Sequence, residues 1–440
     1  MNPWIKKLSK KVIALALAMG MAIVPVAAEE TSAAETTAQV AESPAAWAIW
    51  DVQMTYTYGL GDESTYTGYA AELVGNELSL LESGIESRFS LDEEAVNIGE
   101  VKTRGDVVVA LYDFINSALE IEGNADVDTA LAYFVENGLV NGRVSGDYDL
   151  DASCTKQEML VFANRAYEHM VYALGDEGKG AFWTVSDEDN TVYLLGSIHV
   201  ADGSVYPLSK EILNSFAASD ALVVEANVLM TNPEDVAYVQ EIMYLEEGTT
   251  LDQLISEESY TAFAQIMDGY GIPKEMYSLF KPWYAAILVQ NLTMTTDYSA
   301  TMGIDMYFLQ LAYNWKPIIE LEGVKYQMDM FDGFSPELQE GYLVGALSGE
   351  ETTNDQLAQM LGYWKTGNVE DLKAMVFAEV DETEIEKEFN EKLWDVRDQH
   401  MGESVAAMLS EDTEKDYFVI VGAGHMISDT GIVQYLQSLG

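Results

Sequence analysis

From residue 181 onward, short runs of β-branched and aromatic residues alternate with longer segments in which apolar residues recur every three or four positions. The short runs have the length and composition of strands, and the longer segments have the period of helices. We predict strands over 182–185, 191–195, 221–226, 316–322 and 417–421, with the first two joined as a hairpin across the polar turn 186–190. We predict helices around 208–218, from Pro282, from Gly303, over much of 335–410 and at the C-terminus.

Strands that alternate with helices predict an α/β domain, which we expect to be a layered sheet with flanking helices. In such domains ligands bind at the carboxyl ends of the strands. We therefore place the domain at 181–440 and expect its functional site at the C-termini of the strands.

Residues 46–175 contain a degenerate internal repeat. Thr103-Arg104-Gly105-Asp106 is echoed by Thr155-Lys156-Gln157-Glu158, and the two threonines lie 52 positions apart. A period near fifty is typical of a repeated helical unit. In each copy a threonine precedes an acidic residue by three positions, which predicts a capping box at a helix start. A small, mostly helical repeat domain should therefore precede the sheet.

The N-terminus has the pattern of an export signal. Four lysines within residues 6–11 precede an apolar run over 12–28 that ends in small residues, which predicts a signal peptide at 1–28. A retained membrane anchor is the alternative, but Gly20 and Pro25 interrupt a run already short for a span. Residues 29–45 lack aromatic residues and are predicted to be a disordered linker. We expect a secreted or cell-wall-associated protein with no membrane contact after cleavage.

The chain is strongly acidic, with a formal net charge of −52. Such a charge repels nucleic acid and anionic membranes and attracts cations, so we expect no nucleic-acid partner. Cys154 is the only cysteine. Disulfides within the chain, a cysteine-based metal site and a lipoprotein anchor are therefore excluded.

Two of the four histidines occupy the same setting. His199 and His425 each lie three residues after a glycine, Gly196 or Gly422, at the end of a predicted strand. Glu225 lies at the end of a third strand. If these strands are neighbours, the three side chains converge as a two-histidine, one-carboxylate ligand set for a catalytic divalent metal. The alternative is that both histidines are structural residues held by hydrogen bonds and that the glutamate caps a turn. Spacing does not distinguish zinc, manganese, iron or no metal.

Four co-linear blocks resemble the TraB/GumN family. They are FWTVSDEDNTVYLLGSIHVADGSVYPLSKEILNSFAASDALVVEANV, GIDMYFLQLAYNWKPIIELEGVKYQMDMF, LWDVRDQHM and YFVIVGAGHMISDTGIVQYLQSLG, which together extend across 181–440. The family includes conjugation and pheromone-shutdown proteins and is similar to the TIKI proteases that inactivate Wnt ligands. The resemblance implies divalent-metal-dependent peptide cleavage, with Mn, Co or Zn held by His199, Glu225 and His425.

Further positions match the blocks. Asp305 and Glu322 are predicted to line the site or to orient a metal ligand without binding the metal themselves, with helix or turn capping as the alternative. Arg397 is a candidate to stabilise an oxyanion or to pair with a site carboxylate, with a structural ion pair as the alternative. Gly196 and Gly422 are predicted to shape the two turns. His400 and His169 are predicted to lie outside the site.

The repeats at 46–175 resemble S-layer homology repeats, in which a TRAE-like motif follows a loop of the type seen at 141–150. Residues 47–52 resemble a remnant of an earlier copy. The resemblance implies binding of cell-wall polysaccharide through the motif arginine, which is Arg104 in the first copy and is replaced by Lys156 in the second. A helical spacer or docking module is the alternative.

These observations lead to three functional hypotheses. The first is an exported, cell-surface-associated metal-dependent hydrolase, specifically a peptidase that acts on a peptide or protein signal. The second is a non-catalytic surface protein that sequesters a peptide ligand. The third is an iron- or haem-binding protein that uses the histidine pair.

Overall fold

The computed structural model describes residues 43–91, 96, 98–121, 126–142, 146–230, 232–293, 298–347, 350–377, 383–410 and 414–440. The predicted signal peptide at 1–28, most of the predicted linker at 29–45 and residues 143–145 of the repeat loop lie outside these ranges. The described chain divides into two units. The N-terminal unit contains residues 43–177 and Asp202–Ser209, and the sheet unit contains Gly178–Ala201 and Lys210–Gly440.

Helices build the N-terminal unit. They are α1 (Ile49–Thr57), α2 (Ser79–Phe89), α3 (Arg104–Leu119), α4 (Val127–Glu136) and α5 (Lys156–Leu174), with a 3₁₀ turn at Glu63–Tyr66. Both predicted capping boxes are confirmed. The side chain of Thr103 accepts from the backbone N–H of Asp106, whose carboxylate accepts from the N–H of Thr103, and Thr155 and Glu158 repeat this exchange. Each helix start thereby satisfies two backbone donors that would otherwise lack a partner.

Arg104, at the start of α3, is held inside this unit. Arg104 Nη1 lies 2.5 Å from Glu158 Oε1, and Arg104 Nε donates to the carbonyl of Tyr148 at 3.0 Å. The guanidinium also lies 5.0 Å from the ring centroid of Phe162. Arg104 therefore joins the start of α3 to the start of α5, and only 6% of its side chain is exposed.

Arg104→Met is expected to lower the free energy of unfolding of this unit by about 1.5–3 kcal/mol, because Glu158 loses a charge-assisted hydrogen bond. Urea denaturation measured by circular dichroism checks this. The matched control is Lys102→Met, which removes an ion pair to Glu100 whose partners are both exposed, and it should leave the midpoint unchanged. Equal shifts in the two variants would contradict the structural role of Arg104.

The sheet unit is built on five strands, β1 (Ala181–Ser186), β2 (Thr191–Ser197), β3 (Ala221–Val224), β4 (Ile318–Glu320) and β5 (Tyr417–Gly422). Their order is β1-β2-β5-β3-β4. β1 and β2 form the predicted antiparallel hairpin, and β2, β5, β3 and β4 run parallel. β3 and β5 are buried along their whole length, as expected for central strands that are covered on both faces.

Helices connect and flank these strands. They are α6 (Lys210–Ala218), α7 (Pro233–Ile242), α8 (Glu257–Gly269), α9 (Lys274–Tyr277), α10 (Pro282–Thr293), α11 (Ile304–Ala312), α12 (Gly323–Asp332), α13 (Pro336–Ala346), α14 (Glu350–Thr366), α15 (Val369–Val376), α16 (Glu384–Asn390), α17 (Val396–Leu409), α18 (Ala423–Ile427) and α19 (Ile432–Leu439). A π-helical segment, Glu391–Asp395, joins α16 to α17. The prediction of an α/β layered sheet with flanking helices, preceded by a helical region, is confirmed.

Aromatic packing fixes the flanking helices on the sheet. Phe418 of β5 lies 5.4 Å from Phe216 of α6 and 4.8 Å from Phe308 of α11, measured between ring centroids. Such pairs add to the free energy that the burial of these rings contributes. Within the described ranges, no helix combines the length and the hydropathy that a membrane-spanning helix needs.

Candidate functional site

The topology brings the carboxyl ends of three strands together. β5 lies between β2 and β3, with Ser197 of β2 opposite Gly422 and Val224 of β3 opposite Ile420. His199 follows β2 by two residues, Glu225 is the first residue after β3, and His425 lies in the short helix α18 directly after β5. All three side chains are buried at this edge of the sheet.

His199 is held by an aspartate from α11. Its Nδ1 lies 2.9 Å from Asp305 Oδ1, and its Nε2 lies 3.8 Å from Glu225 Oε1. Asp305 is itself fixed by Ser197, whose hydroxyl donates to Oδ1 at 3.0 Å and accepts from the Asp305 N–H at 3.1 Å. Burial alone would raise the pKa of Asp305, but the charge of His199 and the hydrogen bonds from His199 and Ser197 outweigh it, so the pKa is lowered.

Glu225 is held by donors on both of its oxygens. Oε1 accepts from the backbone N–H of Gly422 at 2.6 Å. Oε2 accepts from Arg397 Nη2 at 2.6 Å and from Gln327 Nε2 at 3.1 Å. Burial would raise the pKa of Glu225, but Arg397 first, and then the two histidines and the N–H of Gly422, lower it. The carboxylate is therefore stabilised in its charged form.

Arg397 pairs with two site carboxylates. Its Nε donates to Glu322 Oε1 at 2.7 Å, and its Nη2 donates to Glu322 Oε2 at 2.8 Å and to Glu225 Oε2. Its side chain is fully buried. Burial would lower the pKa of Arg397, whereas Glu322 and Glu225 raise it, and the net shift is upward. Arg397 therefore pairs with Glu225 and Glu322, and the proposal that it also stabilises an oxyanion stays a prediction.

His425 is held by a second aspartate. Its Nδ1 lies 2.6 Å from Asp398 Oδ1, and neither side chain has exposed surface. The ring of Trp394 lies 4.9 Å away between centroids. Nε2 of His425 is buried and has no hydrogen-bond partner among the described residues. Most buried polar atoms in proteins are paired, so a bound ion at this nitrogen would satisfy it.

Glycines near the site allow the backbone to pack closely against neighbouring atoms. A Cβ on Gly196 would lie 2.8 Å from the Cα of Ala423. A Cβ on Gly303, at the start of α11, would overlap the carbonyl oxygen of His199, and one on Gly424 would overlap the ring of Trp394. Gly422 contributes its N–H to Glu225. Close packing, and not a left-handed backbone, is therefore the reason for glycine at Gly196, Gly303 and Gly424.

Gly424→Ala is expected to destabilise the sheet unit by about 1–3 kcal/mol, because the added methyl group forces the Trp394 ring to shift. Gly362→Ala is the control. Gly362 lies inside α14 with nothing within 4 Å of an added Cβ, so alanine there should stabilise the helix by about 0.5–1 kcal/mol. Thermal unfolding of both variants tests these expectations. Shifts of the melting temperature in the same direction in the two variants would contradict them.

A small cavity adjoins His199 and Glu225, and His425 is not among the residues that line it. Its polar lining is His199, Glu225, Asp305 and Gln327, and its volume is about 10 Å³. This is room for a single water molecule or ion. A larger substrate would have to bind at the mouth of this cavity.

The donor set fits a divalent ion in its chemistry. Among the residues that the structure describes, no group of three or more His, Cys, Asp or Glu side chains stands ready in ligand geometry. However, two atoms that are each about 2.1 Å from one ion lie at most about 4.2 Å apart, and the 3.8 Å between His199 Nε2 and Glu225 Oε1 meets that limit. Oε2 of Glu225 already accepts two hydrogen bonds, whereas Oε1 accepts one and keeps a lone pair.

Gln327 and Asp398 are polar residues of the site that were not predicted from the sequence. A signal for each was present in the helical pattern. Gln327 shares a buried face of α12 with Val324, Met328 and Phe331, and a polar side chain on such a face needs a partner. Asp398 likewise shares a buried face of α17 with Met401.

The remaining histidines lie elsewhere. His400, on α17, is exposed, and its Nε2 lies 3.2 Å from the carbonyl oxygen of Leu321. His169 lies in the N-terminal unit, 2.7 Å from the hydroxyl of Tyr133. Neither contributes to the cluster around Glu225.

Comparison with known proteins identifies the family. The model of the TraB/PrgY/gumN family matches residues 181–440. The uncharacterized protein YbaP of Escherichia coli (strain K12) is 27% identical over 247 residues, which is 56% of this chain and 87% of that protein. YbaP of Shigella flexneri has the same identity and coverage. No solved structure matches the chain significantly. Because the family match spans more than half of the sequence, the chain belongs to the TraB/PrgY/gumN family.

Proposed function

We propose that the protein is an exported metal-dependent hydrolase, specifically a peptidase, in which His199, Glu225 and His425 hold one divalent ion. Mn²⁺, Co²⁺ and Zn²⁺ are the candidate ions. The substrate class, a peptide or protein signal, follows from the resemblance of the sequence blocks to proteases that inactivate secreted ligands.

The observation that carries this proposal is a charge imbalance in the buried site. The carboxylates of Glu225, Asp305, Glu322 and Asp398 all have side chains that are at most 12% exposed. Among the described side chains, Arg397 is the only permanently charged cation that pairs with any of them. Buried charges are costly unless they are balanced. Protonation of His199 and His425 would add two positive charges, and a divalent cation bound by the neutral imidazoles and Glu225 would add the same charge. We propose the second arrangement, because only neutral imidazoles can bind a metal.

When bound, such an ion lowers the pKa of a coordinated water towards neutrality and polarises a substrate carbonyl. The chain's own residues orient the ligands. Asp305 holds His199 by Nδ1 and leaves Nε2 facing Glu225. Arg397 and Gln327 occupy Oε2 of Glu225, so Oε1 is the oxygen that remains to ligate.

Turnover of a peptide library by the mature chain tests the proposal. We expect cleavage that a chelator abolishes and that Mn²⁺, Co²⁺ or Zn²⁺ restores. Stoichiometric capture of intact peptides that persists in chelator would instead favour a non-catalytic surface protein that sequesters its ligand.

For the N-terminal unit we propose attachment to cell-wall polysaccharide, as the resemblance to S-layer homology repeats implies. The motif arginine, Arg104, is paired with Glu158, so a polymer would contact other groups or would have to displace this pair. Sedimentation of the mature chain with purified cell walls checks the proposal. Failure of the chain to sediment at low and at physiological salt would favour a spacer or docking module.

A further inference from the structure

A fully buried carboxylate fixes one of the two imidazoles. Asp398 Oδ1 lies 2.6 Å from His425 Nδ1. Its other oxygen, Oδ2, accepts from the hydroxyl of Ser428 at 2.6 Å and from that of Thr430 at 3.1 Å. The two hydroxyl groups donate to Oδ2, and an ionised carboxylate has no hydrogen to donate, so with Asp398 ionised the hydrogen of the bond to His425 belongs to Nδ1.

The placement of this hydrogen determines what Nε2 can do. In a neutral imidazole only one nitrogen carries a hydrogen, so a hydrogen on Nδ1 leaves the lone pair on Nε2. Nε2 of His425 is buried without a partner among the described residues. The neighbouring Trp394 ring, packed 4.9 Å from the imidazole, helps to hold the ring in one orientation.

Two adjacent side chains of α17 pair with two of the proposed ligands. Arg397 and Asp398 are adjacent on α17, and adjacent helical positions point about 100° apart. Arg397 therefore reaches Glu225 after β3, while Asp398 reaches His425 after β5. The π-helical segment Glu391–Asp395 runs directly into this helix, and such segments are frequent at functional sites.

We propose that Asp398 is a positioning residue that holds His425 in the tautomer with hydrogen on Nδ1, and thereby keeps Nε2 bare for a divalent metal. The tautomer is inferred only from the geometry of Asp398 and His425. That this tautomer serves to bind a metal rests on the proposed function. Asp398 acts through His425 and contacts neither the metal nor the substrate.

The test uses the full mature chain labelled with ¹⁵N in its histidines. A variant that lacks His169 and His400, both outside the site, leaves two imidazoles to assign. In the metal-free protein we expect the His425 signals of a protonated Nδ1 and an unprotonated Nε2. In Asp398→Asn the amide can also donate to Nδ1, so the tautomer should shift or become mixed, and the affinity for Zn²⁺ measured by calorimetry should fall by about 10–100-fold.

Asp395→Asn is the matched control. Asp395 ends the π-helical segment and accepts at 3.2 Å from the hydroxyl of Thr430, which also donates to Asp398. The control should keep both the tautomer and the Zn²⁺ affinity of the wild type. A wild-type His425 with its hydrogen on Nε2 would overturn the proposal even if Asp398→Asn failed to fold. An Asp398→Asn variant with an unchanged tautomer would also overturn it. The predicted tautomer in a chain without Zn²⁺ affinity would support the positioning role and contradict the metal function alone.

Discussion

Arg397→Met is expected to lower the free energy of unfolding of the sheet unit by about 3–5 kcal/mol, because it leaves two buried carboxylates without their cation. Glu322 would lose two hydrogen bonds and Glu225 would lose one. Urea denaturation followed by circular dichroism measures the change. Lys387→Met is the control, since Lys387 pairs with Glu384 on the surface of α16, and it should change little.

Two further variants separate charge from geometry at this pair. Arg397→Lys keeps the charge but loses the planar fork that serves both carboxylates, so its stability should fall between those of the wild type and Arg397→Met. In the double variant Arg397→Met/Glu322→Gln, removal of one unpaired charge should recover part of the loss. If Arg397→Met lowered the free energy of unfolding by less than about 1 kcal/mol, this would contradict the view that Arg397 neutralises Glu225 and Glu322.

His199→Ala and His425→Ala are each expected to reduce kcat/KM of metal-dependent peptide cleavage by about 10²–10³-fold or more. The reason is that a bound metal contributes several kcal/mol of transition-state stabilisation, and about 1.4 kcal/mol corresponds to a factor of ten. His400→Ala is the matched control, because His400 is exposed and contacts the carbonyl of Leu321, and it should retain activity close to that of the wild type.

These activity measurements need a check of folding. Circular dichroism of each variant should match that of the wild type before rates are compared, since His425 is fully buried against Trp394 and Asp398. Equal rates in the wild type and in both site variants would remove the metal mechanism. An equal loss in His400→Ala would show that the effect is not specific to the site.

The fold class was predictable because strands and helices leave local patterns. The runs that end at Leu195, Ala226 and Val421 read as strands, and they form β2, β3 and β5. The order of the strands was not predictable, because β5 inserts between β2 and β3 although it is formed about 200 residues later in the sequence. Only this insertion brings the end of β5, which His425 follows, beside the end of β3, which Glu225 follows.

The candidate site was likewise predictable only in part. His199, Glu225 and His425 became candidates because each lies at or just after the end of a predicted strand, and Asp305 because it matches a block that resembles the family. Asp398 could not be assigned its role, because only the tertiary structure shows that it faces His425, 27 residues away. The reason for glycine at Gly196 was also hidden, since it depends on contact with Ala423 in a distant helix.

If His199, Glu225 and His425 hold one divalent ion, the ion should be visible in crystals of residues 29–440 soaked in Zn²⁺. Anomalous X-ray diffraction at the zinc edge should then show a single strong peak about 2.0–2.2 Å from Nε2 of both histidines and from Oε1 of Glu225. Crystals in which Zn²⁺ binds only elsewhere, with no peak between these three atoms, would contradict it.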